Sequence, residues 1–263
     1  MAIDLNAIRN KLNKLQNTNN RTSNLWKPEP GKNQVRIVPY QYNKDNPFME
    51  LFFHYDLGKK NYLSPVTFGD ADPVVEFAEQ LKASGNSDDW KLGKKLEPKM
   101  RTYLPVIVRG KESEGVKLWG FGKQVYQELL TFIADPDYGD LSDLSAGRDI
   151  VVTFTPPEGS ERFPKTTIMV KPNQTRATED KNVAEMILNG QTEIFDIYKK
   201  CSYEDLKGAL ATWLNGGEEP GTITPVSSPN SAASPFKDTV SAAPANVGKT
   251  DNISAAFDDL FND

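Results

Sequence analysis

Short runs of alternating apolar and polar residues occupy the middle of the chain and predict β-strands. These runs are rich in β-branched and aromatic side chains and are bounded by Gly, Pro, Asn or Asp. They cover residues 34–38, 47–55, 61–68, 100–109, 116–121, 148–155 and 165–170. Segments at about 73–83 and 122–134 read as helices between these strands. The pattern therefore predicts an α+β core built mainly from β-strands.

Helical periodicity marks both ends of this core. Residues 3–15 place apolar side chains mainly at three- and four-residue steps, with Arg9, Lys11 and Lys14 between them, which predicts a short basic amphipathic helix. Ser202 and the acidic residues that follow it predict the capped start of another helix. Gly216 and the glycine after it end that helix.

The composition changes after residue 215. Residues 216–250 consist mostly of Gly, Pro, Ser, Thr, Ala and Asn, and such a segment buries too little apolar surface to offset its ordering entropy. We predict a disordered linker that carries an acidic and aromatic peptide to a protein partner. The residues of that peptide are Phe257, Asp258, Asp259, Leu260 and Phe261. The predicted organisation is an arm over 1–24, a core over 25–215 and a linker with an acidic tail over 216–263.

Charge is distributed unevenly along the chain, whose pI is about 5.2. Residues 1–110 carry 17 Lys and Arg against 12 Asp and Glu, whereas residues 216–263 carry two against seven. This asymmetry favours a nucleic-acid surface with an acidic appendage, although a solvated charged surface would give the same counts. The single cysteine excludes an internal disulfide, and no stretch approaches the roughly 20 apolar residues of a membrane span. We expect a soluble cytoplasmic protein.

The residues that most often carry catalysis are nearly absent. The chain has one histidine, His54, and one cysteine, Cys201, and it contains no Gly-rich phosphate loop, nucleophile elbow or paired-histidine metal motif. We therefore expect no enzyme. A magnesium-dependent nuclease built only from carboxylates stays open as an alternative, because Asp and Glu are plentiful.

Aromatic residues interleaved with Lys and Arg are the strongest functional pattern. Cations follow phosphates while flat rings stack on unpaired bases, so this combination is typical of single-stranded nucleic-acid binding with little sequence preference. The alternative is that these rings pack in the core and that Arg36, which alternates with apolar residues, is merely solvated. The predicted DNA-binding set is Arg36, Lys59, Lys60, Tyr62, Trp90, Lys94, Lys95, Lys99, Arg101, Tyr103, Trp119, Phe121 and Lys123. We expect Trp90 and its neighbouring lysines in a loop.

Several of these segments together resemble the gene 32-type single-stranded DNA-binding proteins of T-even-type tailed phages. The resemblance lies in residues 35–39, 53–55, 99–103 and 116–123, flanked by a basic arm and an acidic tail. It implies an OB-fold barrel with an inserted subdomain, a flexible N-terminal arm and a disordered C-terminal tail. It also implies that the arm residues Arg9, Lys11 and Lys14 support cooperative binding, and that the tail binds replication and recombination proteins in an infected bacterial cytoplasm.

Relatives with this pattern often hold a structural zinc with one His and three Cys. Here His54 is present, but the region that would supply the thiolates reads Ser64-Pro65 and Asp70 to Val75. A closed zinc site needs four nitrogen or sulfur ligands, so we predict no zinc and no other cofactor. Phe68, Val74, Val75 and Phe77 are expected to pack this subdomain instead.

The sequence thus predicts a non-enzymatic protein that binds single-stranded DNA cooperatively for phage DNA replication, recombination and repair. Its acidic tail is expected to compete with DNA for the same cations. The alternative is an adaptor that binds proteins through its N-terminal helix and acidic tail and does not bind nucleic acid.

Overall fold

The computed structural model describes residues 24–55, 57–58, 60–159, 163–215 and 251–261. The predictions on Arg9, Lys11, Lys14, Lys59 and the 216–250 linker concern residues outside these ranges.

The strands are β1 (Leu25–Trp26), β2 (Gly31–Ile37), β3 (Met49–His54), β4 (Tyr62–Leu63), β5 (Lys99–Val108), β6 (Lys117–Phe121), β7 (Arg148–Thr155) and β8 (Lys165–Gln174). The α-helices are α1 (Pro73–Ala83), α2 (Ser87–Leu96), α3 (Lys123–Ala134), α4 (Lys181–Asn189), α5 (Ile194–Ile197), α6 (Tyr203–Leu214) and α7 (Asp251–Phe261). Within the described ranges, no helix combines the length and the apolar character that a bilayer span requires.

The chain divides into two units, each made of two separate segments. The first unit combines Met1–Met49 with Thr102–Ile197, and the second combines Glu50–Arg101 with Tyr198–Asp263. The predicted core over 25–215 therefore contains parts of both units. In sequence, Glu50–Arg101 is an insertion between the two segments of the first unit.

A twisted set of six strands organises the first unit. Their order is β1-β6-β5-β2-β7-β8, and all neighbours are antiparallel except β1 and β6. The order runs from β1 at one end to β8 at the other without closing on itself. The mixed α+β class is confirmed, but the closed barrel that the resemblance implied is not observed in this sheet.

Alternating side chains of these strands form the core of the first unit. Val35 and Ile37 of β2 face it, as do Leu104 and Val106 of β5. The other buried members are Phe48, Trp119, Phe121, Val125, Leu129, Leu141, Ile150, Val152, Ile168 and Val170. Period-two alternation places one face of each strand in this core, which is why the strand predictions for β2, β5, β6 and β7 lie close to the observed bounds.

Helices dominate the second unit. Asp72 caps α1 by accepting hydrogen bonds at Oδ1 from the amides of Val74 (2.9 Å) and Val75 (3.3 Å). Val74 and Phe77 are fully buried, as predicted, and Val75 is half-buried. The prediction for Phe68 is wrong, because its ring is 38% exposed.

Close approach of α1 and α2 depends on Gly93. A Cβ built on Gly93 would lie 2.6 Å from the backbone carbonyl oxygen of Ala78 and 2.9 Å from Cγ of Lys82. Both distances are shorter than a van der Waals contact, so a glycine is needed where the two helices meet. The remaining buried members of this helical core are Leu57, Val74, Phe77, Leu81, Leu96, Leu206 and Leu210.

Three local predictions differ from the structure. The segment around Trp90, expected in a loop, is helix α2, which Asn86 caps and whose ends carry acidic residues first and lysines last, as the helix dipole favours. The predicted strand over 61–68 ends at Leu63, because Pro65 begins a 3₁₀ turn over Pro65–Phe68. The described part of the C-terminal tail, expected to be disordered, is helix α7. The predicted cap is confirmed at Ser202, whose Oγ accepts from the amide of Asp205 at 3.1 Å.

Candidate nucleic-acid interface

The exposed face of α2 in the second unit carries an aromatic ring among lysines. Trp90 is 49% exposed, and Nζ of Lys94, one helical turn later, lies 5.8 Å from the centre of its indole ring. Lys91 and Lys95 are also exposed on this helix. Residues four apart lie on the same side of a helix, so the ring of Trp90 and the ammonium group of Lys94 share one surface. A flat ring beside cations is the arrangement that an unpaired base and its phosphate require.

Carboxylates already neutralise part of this surface. Nζ of Lys91 lies 2.9 Å from Asp88, and Nζ of Lys94 lies 3.2 Å from both carboxylate oxygens of Glu97. The hydrogen bond from Lys82 lowers the pKa of Glu97; burial raises this pKa, and Lys94 lowers it further. These pairs are exposed and therefore weak, so a phosphate can replace the carboxylates as the partner of Lys91 and Lys94.

The second unit contains most of the other predicted contact residues. Lys60 and Lys99 are exposed, and Arg101 is half-buried. Tyr62 is half-buried and packs against the helical core, so only part of its ring faces solvent. Together with Trp90, Lys94 and Lys95, these residues lie in one unit although they span 42 positions of sequence.

The predicted aromatic contacts in the first unit lie in its interior. Trp119 is 1% exposed, and its ring lies 5.6 Å from that of Trp26 and 4.6 Å from that of Phe121. Tyr103 and Phe121 are also buried. None of these three rings offers a free face to a base in this structure, so the geometry favours packing in the core over stacking on DNA. Lys123, at the start of α3, is exposed.

Arg36 is a buried structural residue in this structure. Its side chain is fully buried, and its Nη1 lies 3.2 Å from Oδ1 of Asp149, while Nη2 donates to the carbonyl oxygen of Thr175. Asp149 also accepts from Arg109 at 2.8 and 3.0 Å and from Gln34 at 2.6 Å. This placement does not fit a phosphate contact. The sequence shows that Arg36 alternates with apolar residues. It does not show the register of β2 against β7, which places Arg36 opposite Asp149.

Opposing effects set the pKa values in this cluster. Burial raises the pKa of Asp149, but hydrogen bonds from Arg109 and Gln34 and the nearby positive charges outweigh it, so the pKa lies below its usual value. Burial lowers the pKa of Arg36, which Asp149 partly offsets. The cluster holds β2, β7 and the segment around Thr175 together through polar contacts.

One exposed ring and cation were not foreseen. Nζ of Lys200 lies 4.9 Å above the ring of Phe68, and the same ammonium pairs with Asp70. Both belong to the second unit. The residues are 132 positions apart in sequence, so no local pattern joins them.

Comparison with protein families shows which family this chain belongs to. A family model described as gp32 DNA binding protein like matches residues 29–212. The chain belongs to this family. The match covers more than half of the chain and both units, and the gp32-like family is one of DNA-binding proteins rather than enzymes. A comparison with curated proteins gave no match.

The residues around His54 do not fit a closed zinc site, which needs four nitrogen or sulfur ligands. Nε2 of His54 lies 2.9 Å from Oδ2 of Asp72, and Nδ1 lies 3.0 Å from the carbonyl oxygen of Leu96, so both ring nitrogens already have partners. Ser64 donates its hydroxyl to the same carboxylate oxygen of Asp72. Across the described ranges, no three His, Cys, Asp or Glu side chains are grouped as a metal site would need. In this gp32-like chain, hydrogen bonds of His54 and Asp72 link β3 to the start of α1 and the end of α2.

Proposed function

We propose that the protein binds single-stranded DNA with little sequence preference and coats it cooperatively. Membership of the gp32-like DNA-binding family over residues 29–212 is the observation that carries this proposal. Binding of this kind needs phosphate contacts and stacking, and it needs no base-specific hydrogen bonds. An OB-type arrangement of the first unit, as the resemblance implies, is part of the same proposal.

The exposed residues of the second unit supply both kinds of contact. We assign stacking to Trp90 and, with its partly exposed ring, to Tyr62. Phosphate contacts are assigned to Lys60, Lys94, Lys95, Lys99 and Arg101 of this unit and to Lys123 of the first unit. Arg36, Tyr103, Trp119 and Phe121 then act indirectly, by holding the sheet of the first unit in shape.

Cooperativity, the biological setting and the partners extend the proposal beyond the described residues. Arg9, Lys11 and Lys14 are proposed to contact a neighbouring copy along the strand. The acidic tail is proposed to bind replication and recombination proteins. The setting is DNA replication, recombination and repair in the cytoplasm of a phage-infected bacterium.

A salt-dependent titration with oligo(dT) tests the central proposal. The logarithm of the binding constant should fall linearly with the logarithm of the salt concentration, with a slope of about −0.7 for each phosphate neutralised. The double variant K94Q/K95Q should bind more weakly and show a slope smaller by roughly 1.4, if each lysine contacts one phosphate. The matched control is K181Q, because Lys181 is also an exposed lysine, at the start of α4.

Three outcomes of this titration are informative. No binding at low salt would refute the proposal and favour the protein adaptor. Binding with an unchanged slope in K94Q/K95Q would keep DNA binding but remove α2 from the interface. A parallel loss in K181Q would show that the slope reports overall charge rather than a local surface.

We also propose that the protein folds without zinc. The hydrogen-bonded His54, Asp72 and Ser64 cluster supports this. Metal analysis of the purified protein should find far less than one zinc per chain, and stoichiometric zinc would contradict the proposal.

A further inference from the structure

The C-terminal helix α7 lies against the helical core of the second unit with its apolar side inward. Ile253, Ala256, Phe257 and Phe261 pack on that core, whereas Asp258 and Leu260 are exposed. Ile253, Phe257 and Phe261 follow one another at four-residue steps, and Ala256 lies three residues after Ile253, so these side chains form one continuous stripe on a helix. The sequence predicted that this acidic and aromatic peptide reaches a protein partner. In the structure Phe257 and Phe261 instead pack on the core of their own chain, and only Asp258 and Leu260 of the peptide are described as exposed.

Ring contacts fix where this stripe sits. The ring of Phe257 meets that of Phe77 edge to face, with 6.0 Å between their centres. Phe257 and Phe261 lie 4.8 Å apart, and Phe261 lies 6.5 Å from Tyr203 of α6. The helix therefore occupies a groove that α1 and α6 form together. Such a groove takes an amphipathic helix through anchors at helical spacing.

A lysine of α6 contacts the C-terminal end of helix α7. Nζ of Lys207 donates to the carbonyl oxygen of Phe261 at 3.1 Å and lies 5.0 Å from the centre of its ring. The last carbonyls of a helix lack partners within it and carry partial negative charge, so a cation there is stabilising. Lys207 is half-buried and contacts α7 at Phe261, the last described residue of that helix.

We propose that the groove between α1 and α6 is a binding site for amphipathic helices with aromatic anchors, and that its resident ligand is the chain's own C-terminal helix. Phe257 and Phe261 are then withheld from protein partners until α7 leaves the groove. The described contacts are apolar ring and side-chain packing, with Lys207 at the helix end, so this docking differs from electrostatic competition between the tail and DNA. The inference goes beyond DNA binding and does not depend on it.

A peptide binding assay without DNA tests this proposal. The probe is a fluorescently labelled peptide of residues 249–263, and the receptor is the full chain, either unchanged or as F257A/F261A. The peptide should bind F257A/F261A, whose own helix has lost its anchors, and should bind the unchanged chain much more weakly, because its groove is occupied. Adding the peptide should also raise the melting temperature of F257A/F261A, since a ligand of the folded state stabilises it.

Two peptide variants separate apolar docking from charge. A peptide with D258N and D259N should keep its affinity for F257A/F261A, and raising the salt concentration should change that affinity little. A peptide with both phenylalanines replaced by alanine keeps all the acidic groups and should not bind. The opposite pattern would show that the peptide binds a basic surface and would overturn the proposal.

The receptor offers its own control. Adding K207E to F257A/F261A should weaken peptide binding several-fold, whereas adding K181Q, which lies in the first unit, should not. Equal binding to the unchanged chain and to F257A/F261A, or no binding to either, would overturn the proposal. A dimer of the unchanged chain that F257A/F261A converts to monomer would overturn the assignment of the ligand to the same chain.

Discussion

Nε2 of His54 lies 2.9 Å from Oδ2 of Asp72, and both side chains are buried in the second unit. Asp72 uses its other oxygen to cap α1, so one carboxylate joins strand β3 to the start of that helix. His54 continues the link to the carbonyl oxygen of Leu96 at the end of α2. Three elements of the helical unit are thus connected through two polar side chains.

Replacing Asp72 with alanine should destabilise the protein strongly. The variant leaves the ring of His54 and the hydroxyl of Ser64 buried without an acceptor, and it removes the cap of α1. Leaving a buried donor without an acceptor costs about 1–3 kcal/mol for each group, and the lost cap adds about 1 kcal/mol. Urea unfolding measures this change.

An exposed pair provides the comparison for Asp72. Asp88→Ala removes the contact with Lys91, which is exposed and should contribute less than about 1 kcal/mol. Comparable losses in the two variants would contradict the role assigned to the buried cluster.

Acid should unfold the protein partly through Asp149. Contacts with Arg109, Gln34 and Arg36 hold its pKa below the ordinary value of 3.8 in the folded state. The folded state therefore binds this proton less readily than the unfolded state. The stabilisation is complete above about pH 4 and is lost as the pH falls through the folded pKa.

The variant D149N isolates this effect. It should be less stable at neutral pH, because Arg36 and Arg109 lose their counter-charge, and its free energy of unfolding should depend less on pH below 4. Urea unfolding at several pH values between 5 and 2 gives both slopes. The idea fails if the unchanged chain and D149N lose stability equally steeply over this range.

Gly93→Ala should destabilise the second unit although alanine favours helices. The added Cβ would meet the carbonyl oxygen of Ala78 at 2.6 Å, and a backbone atom cannot move aside cheaply. Overpacking of this kind costs about 1–3 kcal/mol. Thermal unfolding measures the shift.

Gly208 of α6 is the matched control. It is exposed and helical, and a Cβ there would meet no atom within 4 Å. Gly208→Ala should therefore stabilise the protein by up to about 1 kcal/mol. Stabilisation by both substitutions would show that helix propensity, and not helix packing, decides the effect at Gly93.

Sequence patterns predicted elements whose burial follows local periodicity. Strand β7 occupies the predicted residues, because its β-branched residues alternate between two faces. Helix α2 was missed because its residues are mostly polar, and only its cap and its ordered charges mark it as a helix. Features set by tertiary contacts were beyond such patterns. The pairing of Arg36 with Asp149 depends on strand register, and the ring of Trp119 packs against Trp26, which is distant in sequence.

Trp90 should be the residue whose replacement most affects stacking on DNA. Its ring is about half exposed on α2, beside Lys94, whereas Trp119 is buried. Stacking of one base contributes about 1–3 kcal/mol, so Trp90→Ala should weaken oligo(dT) binding roughly five- to 150-fold. The salt slope should hardly change, because no cation is removed. Trp90→Phe retains a flat ring and should recover most of the affinity.

Phe163→Ala is the matched control for Trp90→Ala. Phe163 is similarly exposed, at 43%, but lies in the first unit and was not assigned to the interface. Fluorescence anisotropy with labelled oligo(dT) at fixed salt measures all three variants, with thermal unfolding to confirm that each is folded. Since an exposed ring contributes little to folding, W90A should keep its melting temperature, and a fall in affinity then reports the lost stacking. Equal affinities for W90A and the unchanged chain would remove α2 as the stacking surface, while a loss in F163A would extend the interface to the first unit.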